Sequence, residues 1–339
     1  MAQSRTAVLV VNLGTPDAPT TSAVRRYLAE FLSDPRIVEQ PRWLWLPILH
    51  GVILRIRPSR SARNYQEIWT DAGSPLQTGT QAIAAELAAR LPDGVLVRHA
   101  MRYGSPSIAS VMRELSAAGM QRLLVLPLFP QFSATTTASV LDAVSAELRQ
   151  WRCPPELRFI NEYHVQPQHI EALARSVEAH WQVHGRADRL MLSLHGIPQR
   201  YVDAGDPYRA QCEATAAALR TRLGGDPDSI MLCFQSRLGR EPWLQPYADK
   251  TLQALPAQGV RSVDLLCPGF SVDCLETLEE VAITNRELFM QAGGERYSYI
   301  ACLNAEADQM TALTELLRRH AQGWPEFDAQ ASQTAMIAE

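Results

Sequence analysis

The chain has 339 residues, enough for two domains, and its 46% hydrophobic and 20% charged content excludes a disordered or fibrous protein. Its 32 Lys and Arg against 36 Asp and Glu leave a formal net charge of -4, without the positive field of a nucleic-acid binder, so no nucleic-acid partner is expected. Six cysteines with no CxxC pair fit a reducing compartment and require no disulfide.

The chain opens with MAQSRTAVLVVNLG, where one arginine precedes five apolar residues; this is too short for a signal peptide, and a cytoplasmic location is expected. Residues 6–12 read as a strand that ends in Leu13-Gly-Thr-Pro. Val24, Tyr27, Leu28 and Phe31 fall at i, i+3, i+4 and i+7 and predict a helix. The longest apolar stretch, 43–54, is 12 residues interrupted by Pro47, His50 and Gly51, well below the ~20 that cross a bilayer. Arg42 precedes it and Arg55, Arg57, Arg60 and Arg63 follow. It reads either as a buried helix with a solvated flank or as an apolar lip that rests on an anionic membrane surface or covers a flat ligand.

Further buried strands are predicted at 95–101, 122–128, 157–162, 190–195, 229–234, 262–267 and 298–303, with helical patterns between them, which implies parallel sheets. Ile108, Val111, Met112 and Leu115 mark one such helix, with Ser105-Pro106 predicted as its cap and first turn. The eight strands divide evenly and the halves echo each other. VVNLGTP (10–16) matches LSLHGIP (192–198), and LFPQFSATTT (128–137) matches LLCPGFSVDCLET (265–277), which points to an internal duplication. Ligands of open parallel sheets bind outside the carboxyl ends of the strands, so Leu13, Phe129, His195 and Cys267 are expected to face one crevice between the halves.

His195, at a strand end before a glycine, suits proton transfer near neutrality or ligation of a borderline metal; a hydrogen-bonded interior histidine is the plainer alternative. In SVDCLETLEEV (271–281), read as a helix start, Asp273, Glu276 and Glu280 form a one-sided acidic stripe. Such a stripe either guides a cation or takes up protons, or is a solvated face. Tyr65, Tyr103, Phe129, Phe132 and Trp243 form an aromatic group in which Trp243, between two prolines of GREPWLQP, best suits contact with a flat apolar molecule. GxSxG, GxxxxGK[ST] and HExxH are absent, and neither NLGTPD nor LHGIPQ has the GxGxxG spacing of a dinucleotide site.

Together the motifs VNLGTP (11–16), NYQEIWTDAGSPL (64–76), RYGSPSI (102–108), LPLFPQFSATTT (126–137), LSLHGIP (192–198), QSRLGREPWLQP (235–246) and CPGFSVDCLETLEE (267–280) resemble the ferrochelatase family over nearly the whole chain. The resemblance implies an α/β fold of the class II chelatase type. Two Rossmann-like domains, each a mainly parallel sheet of about four strands flanked by helices, are related by pseudo-twofold duplication. The first is expected over 1–168 and the second, carrying His195 and the acidic helix, over 169–304; a helix at 305–322 is expected to pack back on the first, with a tail at 323–339.

The activity implied is insertion of Fe(II), a substrate and not a resident cofactor, into protoporphyrin IX with release of two protons. His195 and Glu276 occupy the family's two principal active-site positions, as proton acceptors or metal ligands, and Asp273 and Glu280 extend the proton or metal route. Leu13, Arg55, Arg57, Tyr65, Ser74, Arg102, Tyr103, Phe129 and Trp243 match porphyrin-pocket positions, with Arg55 and Arg57 near the propionates. Leu13 stands where relatives acting on coproporphyrin usually carry tyrosine, which favours protoporphyrin. Phe129 replaces a tyrosine of animal members, and Cys274 stands where some relatives have histidine. Ala134 fills the mid-chain cysteine position of cluster-bearing members and no cysteine follows Cys302, so no iron–sulfur cluster or other tightly bound cofactor is expected. The expected setting is a monomer or homodimer in the cytoplasm, peripheral on the inner face of the membrane. The rival readings are a chelatase of the same fold for cobalt or nickel and a non-catalytic tetrapyrrole or metal carrier, in which His195→Ala would reduce affinity only.

Overall fold

The structure, a computed structural model, describes residues 5–224, 226–237, 239 and 241–328. Eight strands form where the apolar runs predict them: β1 (Arg5–Gly14), β2 (Leu96–Tyr103), β3 (Met120–Pro127), β4 (Glu156–Phe159), β5 (Arg189–His195), β6 (Ile230–Gln235), β7 (Ser262–Leu266) and β8 (Arg296–Ile300). They pair in parallel as two four-stranded sheets, β2-β1-β3-β4 and β6-β5-β7-β8. The second order repeats the first, as the matched motifs anticipate. Ala7 to Val11 of β1 and Leu192 to Leu194 of β5 are fully buried, because a central parallel strand is covered on both faces and needs no polar alternation. The edge strands β4 and β8 are only half-buried.

Two compact units follow the sheets. Among the described residues, the first comprises 5–128, 134–161 and 310–328; the second comprises 129–133 and 162–309. The helix Ala307–His320 thus supplies most of its length to the first unit. The chain then remains docked on that unit: Trp324 and Phe327 are buried, Arg158 lies 4.4 Å over the Trp324 ring, and Glu326 accepts from the Thr6 N–H at 3.1 Å and pairs with Arg122 at 2.9 Å. Of the expected tail, 329–339 lies outside the described residues.

Both units close their first strand with a glycine that lets neighbouring backbone approach. A Cβ on Gly14, whose φ is +116°, would stand 1.8 Å from the Tyr103 carbonyl oxygen. One on Gly196 would stand 3.0 Å from the Gln235 carbonyl oxygen and 3.3 Å from the Trp243 ring.

Two local expectations are corrected. The cap of the helix Ile108–Ala117 is Ser107, whose extended backbone lets its hydroxyl oxygen accept from the Ser110 N–H; Ser105-Pro106 is a cis peptide before it. The stretch 43–54 is not a buried helix. A helix Arg42–Ile48 passes through a π-helical turn, Leu49–Ile53, into a helix Leu54–Ile68. Leu49 and Leu54 are buried and the Trp45 indole N–H donates to the Leu32 carbonyl at 2.6 Å, which leaves Trp43 79% and Ile56 69% exposed, with Leu44, Ile48 and Val52 beside them. No helix among the described residues is long and apolar enough to cross a membrane.

Candidate active site

The second unit gathers its titratable groups at the carboxyl end of its sheet. His195 is the last residue of β5 and lies in register with Gln235, the last residue of β6. Its Nδ1 is 2.6 Å from the Gly196 carbonyl oxygen. A carbonyl only accepts, so Nδ1 carries a proton and Nε2 is the ring nitrogen left for other chemistry. The ring lies 6.5 Å from that of Trp243, whose loop is tied down by the Leu244 N–H to the Ile197 carbonyl at 3.0 Å and by the Gln199 N–H to the Pro242 carbonyl at 3.0 Å.

Past β6 the backbone turns through Ser236 at φ 65°, which aims both its donors at one carboxylate. The Ser236 N–H donates to Glu280 Oε1 at 2.8 Å and its hydroxyl donates to Oε2. Burial raises the Glu280 carboxyl above the usual carboxylate range; the Ser236 bonds and the charge of His195 oppose this, and the charge of Glu276 adds to it. Glu280 is therefore within electrostatic reach of both the His195 imidazole and the Glu276 carboxylate.

Glu276 and Glu280 do not ride on an α-helix. They belong to a ten-residue π-helical segment, Glu276–Asn285, which begins later than the helix expected from 271. Asp273 is consequently outside it and leaves the acidic stripe: its carboxylate accepts from the Tyr299 hydroxyl at 2.5 Å, the Asn304 amide at 2.8 Å, the Thr277 hydroxyl at 3.1 Å and the Cys302 N–H at 3.3 Å. This carboxylate fixes the loop and has little capacity left for a cation or proton. The neighbouring Cys274 is buried, and burial, with the charge of Glu276, pushes its thiol well above the usual range, so it stays a protonated packing residue. Among the described residues no three His, Cys, Asp or Glu side chains form a group able to hold a metal.

The remaining candidates are distributed as follows. Phe129, just past β3, is half-buried and belongs to the second unit. Leu13 is half-buried at the end of β1, and Arg55 is exposed with Arg57 half-buried. Tyr65 is buried edge-on to Trp69, with ring centres 6.2 Å apart. Ser74 is buried and accepts from the Thr15 hydroxyl at 2.9 Å. Arg102 and Tyr103 meet, but their polar ends turn to Asp34. Arg102 Nη2 lies 2.5 Å from its carboxylate, and the Tyr103 and Ser139 hydroxyls donate to it at 2.8 and 2.7 Å. Burial alone would raise Asp34; the bonds from Ser139, the Arg36 N–H and Tyr103, with the charge of Arg102, hold it below the usual range.

Sequence reasoning passed over Gln235, Ser236 and Asp34. The first two sit inside a quoted motif at a strand's carboxyl end, where the strand-end rule points. Asp34 signals only a local turn through the Arg36 N–H, because its partners Arg102 and Ser139 are 68 and 105 residues away.

The ferrochelatase family model matches residues 5–321. The ferrochelatase of Marinobacter nauticus is 53% identical over 342 residues, covering 99% of this chain and 92% of that one. The ferrochelatase of Idiomarina loihiensis is 54% identical over 321 residues, covering 94% and 88%. Among solved structures, SirB from Bacillus subtilis with Fe3+ shares the fold, with a TM-score of 0.59 over 94% of this chain and 96% of that one at 10% identity. On these grounds the chain belongs to the ferrochelatase family, lyases that insert ferrous iron into a porphyrin.

Proposed function

We propose that the porphyrin is protoporphyrin IX and that His195 and Glu276, together with Glu280, handle the metal and the two displaced protons. The observation that carries this reading is the His195 imidazole, whose Nε2 is left open by the Nδ1 bond to Gly196, within electrostatic reach of the Glu280 carboxylate held by Ser236. A flat porphyrin receives a metal poorly, since its two inner N–H groups point at the centre. Walls that bind a bent ring better than a flat one expose nitrogen lone pairs and lower the barrier by differential binding. One Fe(II) enters and two protons leave, so the core stays neutral and the protons need acceptors. An imidazole and a carboxylate whose pKa is raised by burial both suit that task. The apolar Leu13 supports the less polar substrate.

The exposed stripe Trp43, Leu44, Ile48, Val52 and Ile56, beside exposed Arg55, Arg60 and Arg63, supports a peripheral seat on an anionic membrane from the cytoplasmic side. Sedimentation with vesicles containing an anionic lipid is expected to fall when Trp43 and Ile56 are both changed to Ser.

The central experiment mixes catalytic amounts of the protein with Fe(II) and protoporphyrin IX without oxygen and follows the haem spectrum, with coproporphyrin III run in parallel. Haem formation well above the enzyme-free rate, preferring protoporphyrin and lost in His195→Ala, is expected. A preference for coproporphyrin would overturn the substrate assignment, and full activity in His195→Ala would overturn the residue assignment.

A further inference from the structure

We propose that Gln235 and Tyr297 are positioning residues that hold the π-helical register of Glu276–Asn285 and thereby set Glu276 and Glu280 against His195. The inference rests on the site reading above. π-Helical structure mostly occurs as single-turn bulges, because its hydrogen-bond geometry offers less than that of an α-helix. Ten residues in this form therefore call for support from outside the segment.

Two side chains supply it. The Gln235 amide N–H donates to the Glu276 carbonyl at 3.2 Å, and the Tyr297 hydroxyl donates to the Val281 carbonyl at 2.5 Å. Residues 276 and 281 are five apart, the repeat of a π-helical hydrogen bond. Gln235 is itself immobilised at the end of β6, in register with His195 on the neighbouring strand β5. It is 3% exposed, its side-chain oxygen accepts from the Ser193 hydroxyl at 2.6 Å, and its main-chain carbonyl accepts from the Gly196 N–H at 2.8 Å. Tyr297, on β8, packs its ring against Phe289 with centres 6.2 Å apart. A return to four-residue spacing would rotate every later residue about the helix axis. Val281 would then leave Tyr297, and Glu280 would leave Ser236. The two pins and the Ser236 grip are thus satisfied together in the π register.

The test compares Tyr297→Phe, which removes one oxygen and keeps the ring, with Gln235→Leu. Each is expected to lower kcat/KM for Fe(II) by about 3- to 10-fold, the effect of one hydrogen bond, while KM for the porphyrin stays within about twofold. In a Glu276→Gln background Gln235→Leu should cost less than about twofold more, since it acts through that residue. Amide hydrogen exchange over 276–285 should quicken in Tyr297→Phe relative to the other helices, a readout that stands even if Gln235→Leu fails to fold. Wild-type Fe(II) kinetics and unchanged exchange in Tyr297→Phe would overturn the inference, as would a full additional loss on top of Glu276→Gln. Such results alongside an inactive His195→Ala would leave the site reading intact, whereas full activity in His195→Ala would remove both.

Discussion

At the end of β1 the chain reads Leu13-Gly14; at the end of β5, the corresponding strand of the other sheet, it reads His195-Gly196. After the third strand of each sheet comes π-helical structure. In the first unit it is the five-residue Ala134–Ala138, ATTTA, running into the helix Ser139–Leu148; in the second it is the ten-residue ETLEEVAITN. The glycines are kept in both because both strand ends are crossed by neighbouring backbone. The titratable side chains are present in only one. A duplicated scaffold has thus retained its backbone geometry twice and its imidazole and carboxylates once, while the copy without them carries the exposed apolar stripe at 43–56.

This contrast can be broken most sharply by His195→Leu, which writes the first unit's residue into the second. Turnover in the anaerobic haem assay should fall by about 10²- to 10⁴-fold, the usual share of a positioned acid–base group, with porphyrin binding by fluorescence quenching retained. Next in size is Gly14→Ala. With positive φ and a carbonyl oxygen at 1.8 Å from the added carbon, it should cost about 3 kcal/mol or more in urea denaturation.

The acid response should separate the units' buried titratable groups. His169 in the second unit is fully buried against Tyr163, and burial, with the nearby His164, lowers its pKa to about 4. Between pH 6.5 and 4 the unfolded chain takes up a proton that the folded chain refuses. Stability is therefore whole above 6.5 and falls by up to about 3 kcal/mol on acidification to 4. His169→Gln should flatten that part of the pH–stability curve. Asp34 of the first unit, lowered by its donors, gives its contribution above the ordinary carboxylate pKa and loses it only as pH falls further, so Asp34→Asn should leave the 4 to 6.5 window unchanged. The smallest effect is expected for Gly196→Ala, at about 1 kcal/mol. Its added carbon meets the Gln235 oxygen at 3.0 Å on ordinary backbone, and a loss equal to that of Gly14→Ala would show that the two strand ends are equally constrained and remove the contrast.

The fold was legible because strands buried on both faces leave continuous apolar runs, and because the turn motifs after β1 and β5 repeat. His195 was legible from the strand-end rule. The π-helical register is not legible, since Asp273, Glu276 and Glu280 at i, i+3 and i+7 form one stripe on the α-helix expected from 271, whereas the segment begins only at Glu276. The apolar run at 43–54 reads equally as core or as surface; which side chains are covered depends on Leu32 and other partners distant in the chain. Arg102 and Tyr103 match pocket positions by motif, yet what their polar ends hold is decided by Asp34 and Ser139, which no spacing connects to them.

The strap that runs from Met310 through Trp324 to Glu326 has a consequence for biosynthesis. On a ribosome the sheet containing β1 emerges before residues 162–309, but the carboxylate that joins Thr6 to Arg122 emerges after them. The unit built on β1 is therefore completed only after every residue of the other unit has been synthesised, so its folding is gated by the order of translation.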